Sequence, residues 1–154
     1  MKNEQSGRSL IEMLGVLAIA GIMTAGAIVL YNSVRTRQAR IVAQEQLKET
    51  AENARTLFAA KRDYTGISTQ YLIDAGAIKN DKSPLPNVEF SVVVNPTDAS
   101  GFVMLLDGVG FDDCAWLATI KLDWARNVSV NGFSESAATY CKKLETNQIE
   151  IWVE

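Results

Sequence analysis

Eighteen consecutive residues, Met13 to Leu30, contain no charged side chain and only one polar one, Thr24. At ~1.5 Å per helical residue the run is about 27 Å long, and its uncharged flank through Val34 carries it past the ~30 Å bilayer core. A segment of this length and polarity can span a membrane. The plainest expectation is a signal anchor. A cleaved secretory signal fits less well, because the run exceeds an ordinary h-region and no small-residue cleavage pattern follows it. Lys2 and Arg8 on one flank are matched by Arg35, Arg37 and Arg40 on the other, so charge asymmetry does not set the orientation.

The rest of the composition narrows the chemistry. Histidine is absent, which excludes a Ser/His/Asp or Cys/His arrangement and any zinc site built on imidazole. Two cysteines cannot supply a four-ligand site; they form one disulfide or remain two buried thiols. The net charge of −3 is uneven, for residues 76–154 carry six basic and eleven acidic side chains. A phosphate-binding surface needs clustered cations, so nucleic acid is not expected as a partner. With 154 residues and 47% apolar content the chain can bury a sizeable core. We expect no enzyme, no cofactor and no metal.

Beyond the apolar run the helix is expected to continue, because residues 31–60 contain neither Gly nor Pro. Ala43, Leu47, Ala51, Ala54 and Phe58 recur at spacings of 4, 4, 3 and 4, which gives one apolar stripe, with Arg40, Gln44, Lys48, Glu52 and Arg55 on other faces. The first half is apolar nearly all round, and the second is amphipathic and expected to pack on a head. Gly15, Gly21 and Gly26 lower helix propensity by about 1 kcal/mol each relative to Ala, and serve either close helix packing or a hinge.

The helix is expected to end near Asp63. Ser68 is placed to cap a short helix through Ala75 that stops at Gly76. A connector with Pro84 and Pro86 follows, then strands over Val88 to Val94 and Phe102 to Leu106 joined as an antiparallel hairpin. Residues 112–125 read as a helix begun by Asp112 or Asp113, and Ser134 to Leu144 as another. Ile149, Ile151 and Val153 alternate with Glu150, Trp152 and Glu154 and read as a C-terminal strand with one buried face. The fold class is α+β: a long N-terminal helix packed on a C-terminal head with a small antiparallel sheet and short helices.

Two weaker patterns concern the head. Asp107, Asp112 and Asp113 around Gly108 and Gly110 offer oxygen ligands of the kind calcium takes, but their spacing matches no EF-hand, and acids before a helix also serve as caps or solvated charge. Trp116, Trp124 and Trp152 can form an exposed adhesive patch or pack against the core, the commoner fate of such residues.

Glu12 stands at the edge of the apolar run between Ile11 and Met13, where a carboxylate costs a few kcal/mol unless solvated, neutralised or paired. Together with the preceding Gly7, Arg8, Ser9, Leu10 and Ile11 it resembles the processing site of type IV prepilins. The resemblance implies a leader peptide of residues 1–7, cleavage after Gly7 by prepilin peptidase and methylation of a new N-terminus at Arg8. Glu12 is then the fifth residue, where the family carries its glutamate. Arg8 departs from the apolar residue usual after the cut and adds a second positive group beside Glu12. The implied organisation is a leader, a long helix over 8–62 with its transmembrane and assembly segment at 13–34, and a pilin head over 63–154.

The same resemblance implies a role for Glu12. When a subunit leaves the bilayer and docks its helix among others, Glu12 can pair with the freed α-amine at Arg8 of a neighbour. A subunit out of register leaves a buried charge unpaired, which is costly. The C-terminal region resembles that of type IVb pilins, where a disulfide bounds a variable surface segment, which implies a Cys114–Cys141 bond. The implied partners are copies of the same chain in a helical filament, the peptidase, pilus assembly machinery in the inner membrane, and the membrane itself before assembly. The implied location is the bacterial inner membrane first and an extracellular pilus afterwards, with the head available for adhesion, aggregation or conjugation. The alternatives are a type II secretion pseudopilin or a plain membrane-anchored periplasmic protein.

Overall fold

A computed structural model of the chain describes residues 4–61, 63–83 and 85–154. The first long element, α1, is a single helix over Glu4–Phe58. The chain divides into two compact units, Met1–Ala39 and Arg40–Glu154.

Among the described residues the first unit is helix alone. From Leu10 to Val34 its large apolar side chains are between 53% and 75% exposed. Exposed area on that scale is far beyond the scattered apolar residues of an ordinary soluble surface. The helix runs unbroken through Gly15, Gly21 and Gly26, and a Cβ added at any of them would meet nothing within 4 Å.

The second unit is the head, into which the stripe read from spacing is buried. Ala43, Leu47, Ala51, Ala54 and Phe58 are 0–3% exposed and belong to one core cluster with Phe102, Met104, Leu106, Ile149 and Ile151. Each fully buried large apolar side chain is worth about 1.5–3 kcal/mol, and alanines at three of the five stripe positions let the helix approach the core closely. The expected long helix over 8–62 ends as α1 at Phe58, followed by turn residues and Asp63, whose carboxylate accepts from the Thr65 amide.

The short helix α2, Thr69–Asp74, has the expected signals. Ser68 accepts a hydrogen bond from the Tyr71 amide, and Gly76 takes φ of +73°, which lets Ala77 N–H donate back to Leu72 O. Pro84 lies outside the described residues. The sheet contains β1 (Glu89–Val94), β2 (Phe102–Val109), β3 (Asn127–Val130) and β4 (Asn147–Val153) in the order β1-β2-β4-β3, all antiparallel. Met104 pairs with Val92 on one side and Ile151 on the other, so the two central strands carry the middle of the core. The end of the β1–β2 connection lies close against β4: a Cβ on Gly101 would lie 2.5 Å from Val153 O, so only glycine fits there.

Four local expectations are corrected. The strand begun at Phe102 runs on to Val109 through a register shift after Leu106, where Gly108 adopts φ of +86°. The helix expected over 112–125 is α3, Phe111–Thr119, because Ile120 turns to extended backbone. Asp112 and Asp113 lie inside its first turn, where negative charge favours the helix dipole, and the cap position is Gly110. The helix expected from Ser134 to Leu144 reduces to one 3-10 turn, Ala137–Tyr140, entered from Ser136 at φ of +52°. Strand β3 was not anticipated.

Candidate assembly helix and disulfide-bounded surface

Three of the residues singled out from the sequence lie near the start of α1. Gly7 and Arg8 fall in its first turns, and the Arg8 side chain lies outside the described residues. Glu12 is exposed, with exposed Leu10, Ile11 and Met13 around it, and no ion pair reaches it among the described residues. Across the apolar run the other polar group is already satisfied, since Thr24 Oγ1 donates to Ala20 O at 2.8 Å. An 18-residue window of this helix reaches a mean hydropathy of 2.4. Within that apolar surface Glu12 is the group whose charge calls for a partner.

Cys114 on α3 and Cys141, which follows the 3-10 turn, are joined by a disulfide with Cα atoms 5.9 Å apart. That settles the alternative left open by the cysteine count. The segment between them carries a stacked pair on the surface: the Phe133 and Tyr140 rings lie 4.0 Å apart, nearly parallel.

A residue that the sequence reading missed fixes this region. Asn147 is fully buried at the start of β4, where a polar side chain carries no periodic signal. Its amide nitrogen donates to Val109 O and Lys142 O, each at 3.1 Å. Its amide oxygen accepts from Lys142 N–H at 2.7 Å and from Asn131 Nδ2 at 3.1 Å. One side chain thus ties the irregular end of β2, the turn after β3 and the chain leaving Cys141. Asn147→Ala leaves several of these buried groups unpaired and is expected to cost about 3 kcal/mol, read as a lowered midpoint in thermal unfolding of the full-length protein in detergent.

Two arginines that spacing placed off the apolar stripe anchor the second half of α1 within the head. Arg40 Nε donates to Asp113 Oδ1 at 2.9 Å and Nη2 to Asp112 O at 3.1 Å, while the guanidinium lies 5.5 Å from the centre of the Trp116 ring. Arg55 donates to Glu154 O at 2.7 Å and Trp124 O at 2.8 Å. These contacts also place the tryptophans: Trp116 and Trp124 are half-buried against the core, and Trp152 donates to Ser129 Oγ. The three aspartates do not converge. Asp113 serves Arg40, Asp107 accepts from Gly108 N–H, and among the described residues no group of three or more acidic or cysteine side chains is arranged to hold a metal.

The resolved electrostatic shifts are structural. Burial pushes the Tyr64 hydroxyl above its ordinary pKa, with the Arg55 charge pulling it back, while its ring packs between Phe58 and Phe102. A raised value means that this contribution to stability is complete at neutral pH and is lost as pH rises through the folded-state pKa. The Ser100 hydroxyl and amide hold Asp98 below the usual carboxylate range in the β1–β2 turn, and Lys142 does the same for Glu145.

Comparison with known proteins bears on both regions. No family model matches the chain. It is 26% identical over 148 residues to the major structural subunit of the bundle-forming pilus of Escherichia coli O111:H-, covering 90% of this chain and 77% of that protein. The fold is similar to that of TcpA, a type IV pilin from the Vibrio cholerae El Tor biotype, with a TM-score of 0.61 and 11% identity over 76% of this chain and 99% of that one. A long apolar N-terminal helix, a four-stranded antiparallel sheet and short helices make this the α+β fold of a type IV pilin. The relative is a pilus structural subunit and the solved structure is a type IV pilin.

Proposed function

We propose that the protein is a structural subunit of a type IV pilus of the type IVb kind, cut after Gly7 by prepilin peptidase and built into a filament through α1. The observation that carries this reading is the state of that helix. Its amphipathic half fills the head's core, while the apolar side chains of its first unit lie bare along Leu10 to Val34. Bare apolar surface of that length is accommodated first by lipid and then by copies of the same helix. The open space around Gly15, Gly21 and Gly26 admits a close neighbour, and the similarity to a pilus structural subunit covers 90% of the chain.

In this reading residues 1–7 are the leader, 8–62 the helix with its assembly segment at 13–34, and 63–154 the head. Peptidase cleavage frees the α-amine of Arg8, which is methylated. Glu12 registers an incoming subunit by pairing with that amine on a neighbour, because either charge left unpaired where water is excluded is costly. The subunit waits in the inner membrane and ends in an extracellular filament, where the Cys114–Cys141 segment and its Phe133–Tyr140 stack face outward. The role is structural, with the assembly machinery and like subunits as partners.

Gly7→Ala tests the processing step. A side chain at the cut is expected to leave a full-length precursor in the membrane fraction and no protein in the sheared fraction, read by immunoblot. Normal processing of that variant would contradict cleavage that depends on Gly7, and a wild-type chain that stays intact and anchored would favour the plain anchored protein. A processed wild-type chain that never leaves the periplasm would favour a pseudopilin.

A further inference from the structure

Between the two cysteines the chain reverses at Asn131 and Gly132. Val130 and Phe133 exchange both backbone hydrogen bonds, at 2.8 and 2.9 Å, while Asn131 and Gly132 take φ of +52° and +86°. Both central residues of such a hairpin turn must be left-handed, and Asn-Gly is a pair that accepts this readily. The same pair is also the one most prone to deamidation, because glycine has no Cβ to keep its own nitrogen away from the preceding side-chain carbon. Asn131 is the only asparagine in the chain that glycine follows.

The fold holds that side chain at both ends of its amide. Nδ2 donates to Tyr140 O at 2.9 Å and to Asn147 Oδ1 at 3.1 Å, and Oδ1 accepts from Gln148 N–H at 3.0 Å. Bringing the Gly132 nitrogen onto the amide carbon requires the amide to turn, which breaks all three bonds. The partners are themselves fixed: Tyr140 directly precedes the disulfide-bonded Cys141, and Asn147 is fully buried. Gly132 is exposed, with open space beside its Cα, so water reaches the turn.

We propose that Asn131 is a deamidation site with Gly132 as its internal nucleophile, kept latent by the folded Cys114–Cys141 segment and spent when that hold opens. The Gly132 nitrogen attacks Cγ of Asn131 and forms a nitrogen–carbon bond. The Cγ–Nδ2 bond breaks, and the side-chain nitrogen leaves as ammonia with the proton from Gly132 N–H. Water then opens the cyclic imide at either carbonyl, giving aspartate or isoaspartate, so one water is consumed for each ammonia released. Either product undoes the hold. A carboxylate has no hydrogen to give Tyr140 O or Asn147 Oδ1, and isoaspartate lengthens the backbone of a turn whose closure fits two residues. A subunit in which this segment has opened is thereby marked irreversibly.

The test uses full-length protein in detergent, kept warm at mildly alkaline pH. Residue 131 is followed by peptide mass and by isoaspartate-specific methyltransferase labelling. Hydrogen exchange at Met104 and Ile151, on the two central strands, reports in the same samples whether the sheet persists. Untreated protein is expected to keep Asn131, and protein in denaturant to convert it. Reduction of the Cys114–Cys141 bond by a dithiol, and separately Asn147→Ala with the disulfide intact, are each expected to speed conversion about tenfold or more while the sheet stays protected, since the reaction passes through local opening. Failure of residue 131 to convert in denaturant would overturn the site. Conversion of untreated protein as fast as in denaturant, no acceleration in either opened form, or acceleration only where Met104 and Ile151 lose protection would overturn the hold.

Discussion

Replacing both Cys114 and Cys141 with serine is expected to lower the stability of the head by about 3–4 kcal/mol, the chain-entropy value for a loop of this size. That is a large share of a small domain's total, commonly about 5–15 kcal/mol. The effect should also be local. Between the cysteines the chain holds only the second half of α3, the four-residue β3 and one 3-10 turn, so the bond and Asn147 supply much of its constraint. Thermal unfolding of full-length protein in detergent reads the stability loss, and limited proteolysis should move first cleavage into residues 115–140. A double-serine variant with an unchanged midpoint and unchanged protection would show that the sheet alone holds this segment.

Glu12→Ala has the largest expected effect on assembly. The substitution removes the one charge at the edge of an otherwise apolar surface, so membrane insertion and cleavage after Gly7 should proceed. Docking then leaves the neighbour's α-amine buried without its carboxylate, and breaking a buried pair from one side costs about 3–5 kcal/mol. Sheared filament should fall by about a hundredfold or more while processed subunit accumulates in the membrane. Glu12→Gln keeps the shape and loses the charge, and should fail in the same way. Normal filaments from either variant would sink the registration argument.

The parts legible in the sequence were those in which one physical rule acts alone. The stripe from Ala43 to Phe58 was readable because spacing decides which face of a helix meets a core, and all five residues are buried. The limits of α2 were readable because Ser68 and Gly76 each solve a backbone problem that few other residues solve. Ile149, Ile151 and Val153 announced β4 by strict alternation.

The parts that were not legible involve contacts made across the fold. Strand β3 is four residues long, and its buried Ser129 looks polar until its hydroxyl is seen to donate to Glu150 and accept from Trp152. The segment from Ser134 to Leu144 has helical composition, but Ser136 is left-handed and the Lys142 amide is taken by Asn147, which stops a helix from forming. Asn147, Arg40 and Arg55 are polar residues whose partners lie far away in the chain, so no local pattern marks them. The candidate assembly site divides in the same way: its helix was read from composition, while the roles of Gly7, Arg8 and Glu12 came from a family resemblance.

The measurement that bears most directly on the account is the intact mass, with the N-terminal sequence, of protein sheared from cells and kept under non-reducing conditions. The account predicts a chain that begins at methylated Arg8, lacks Met1 to Gly7, and is lighter by two hydrogens for the Cys114–Cys141 bond. A chain that still carries Met1 to Gly7 and is found only in membranes would contradict it.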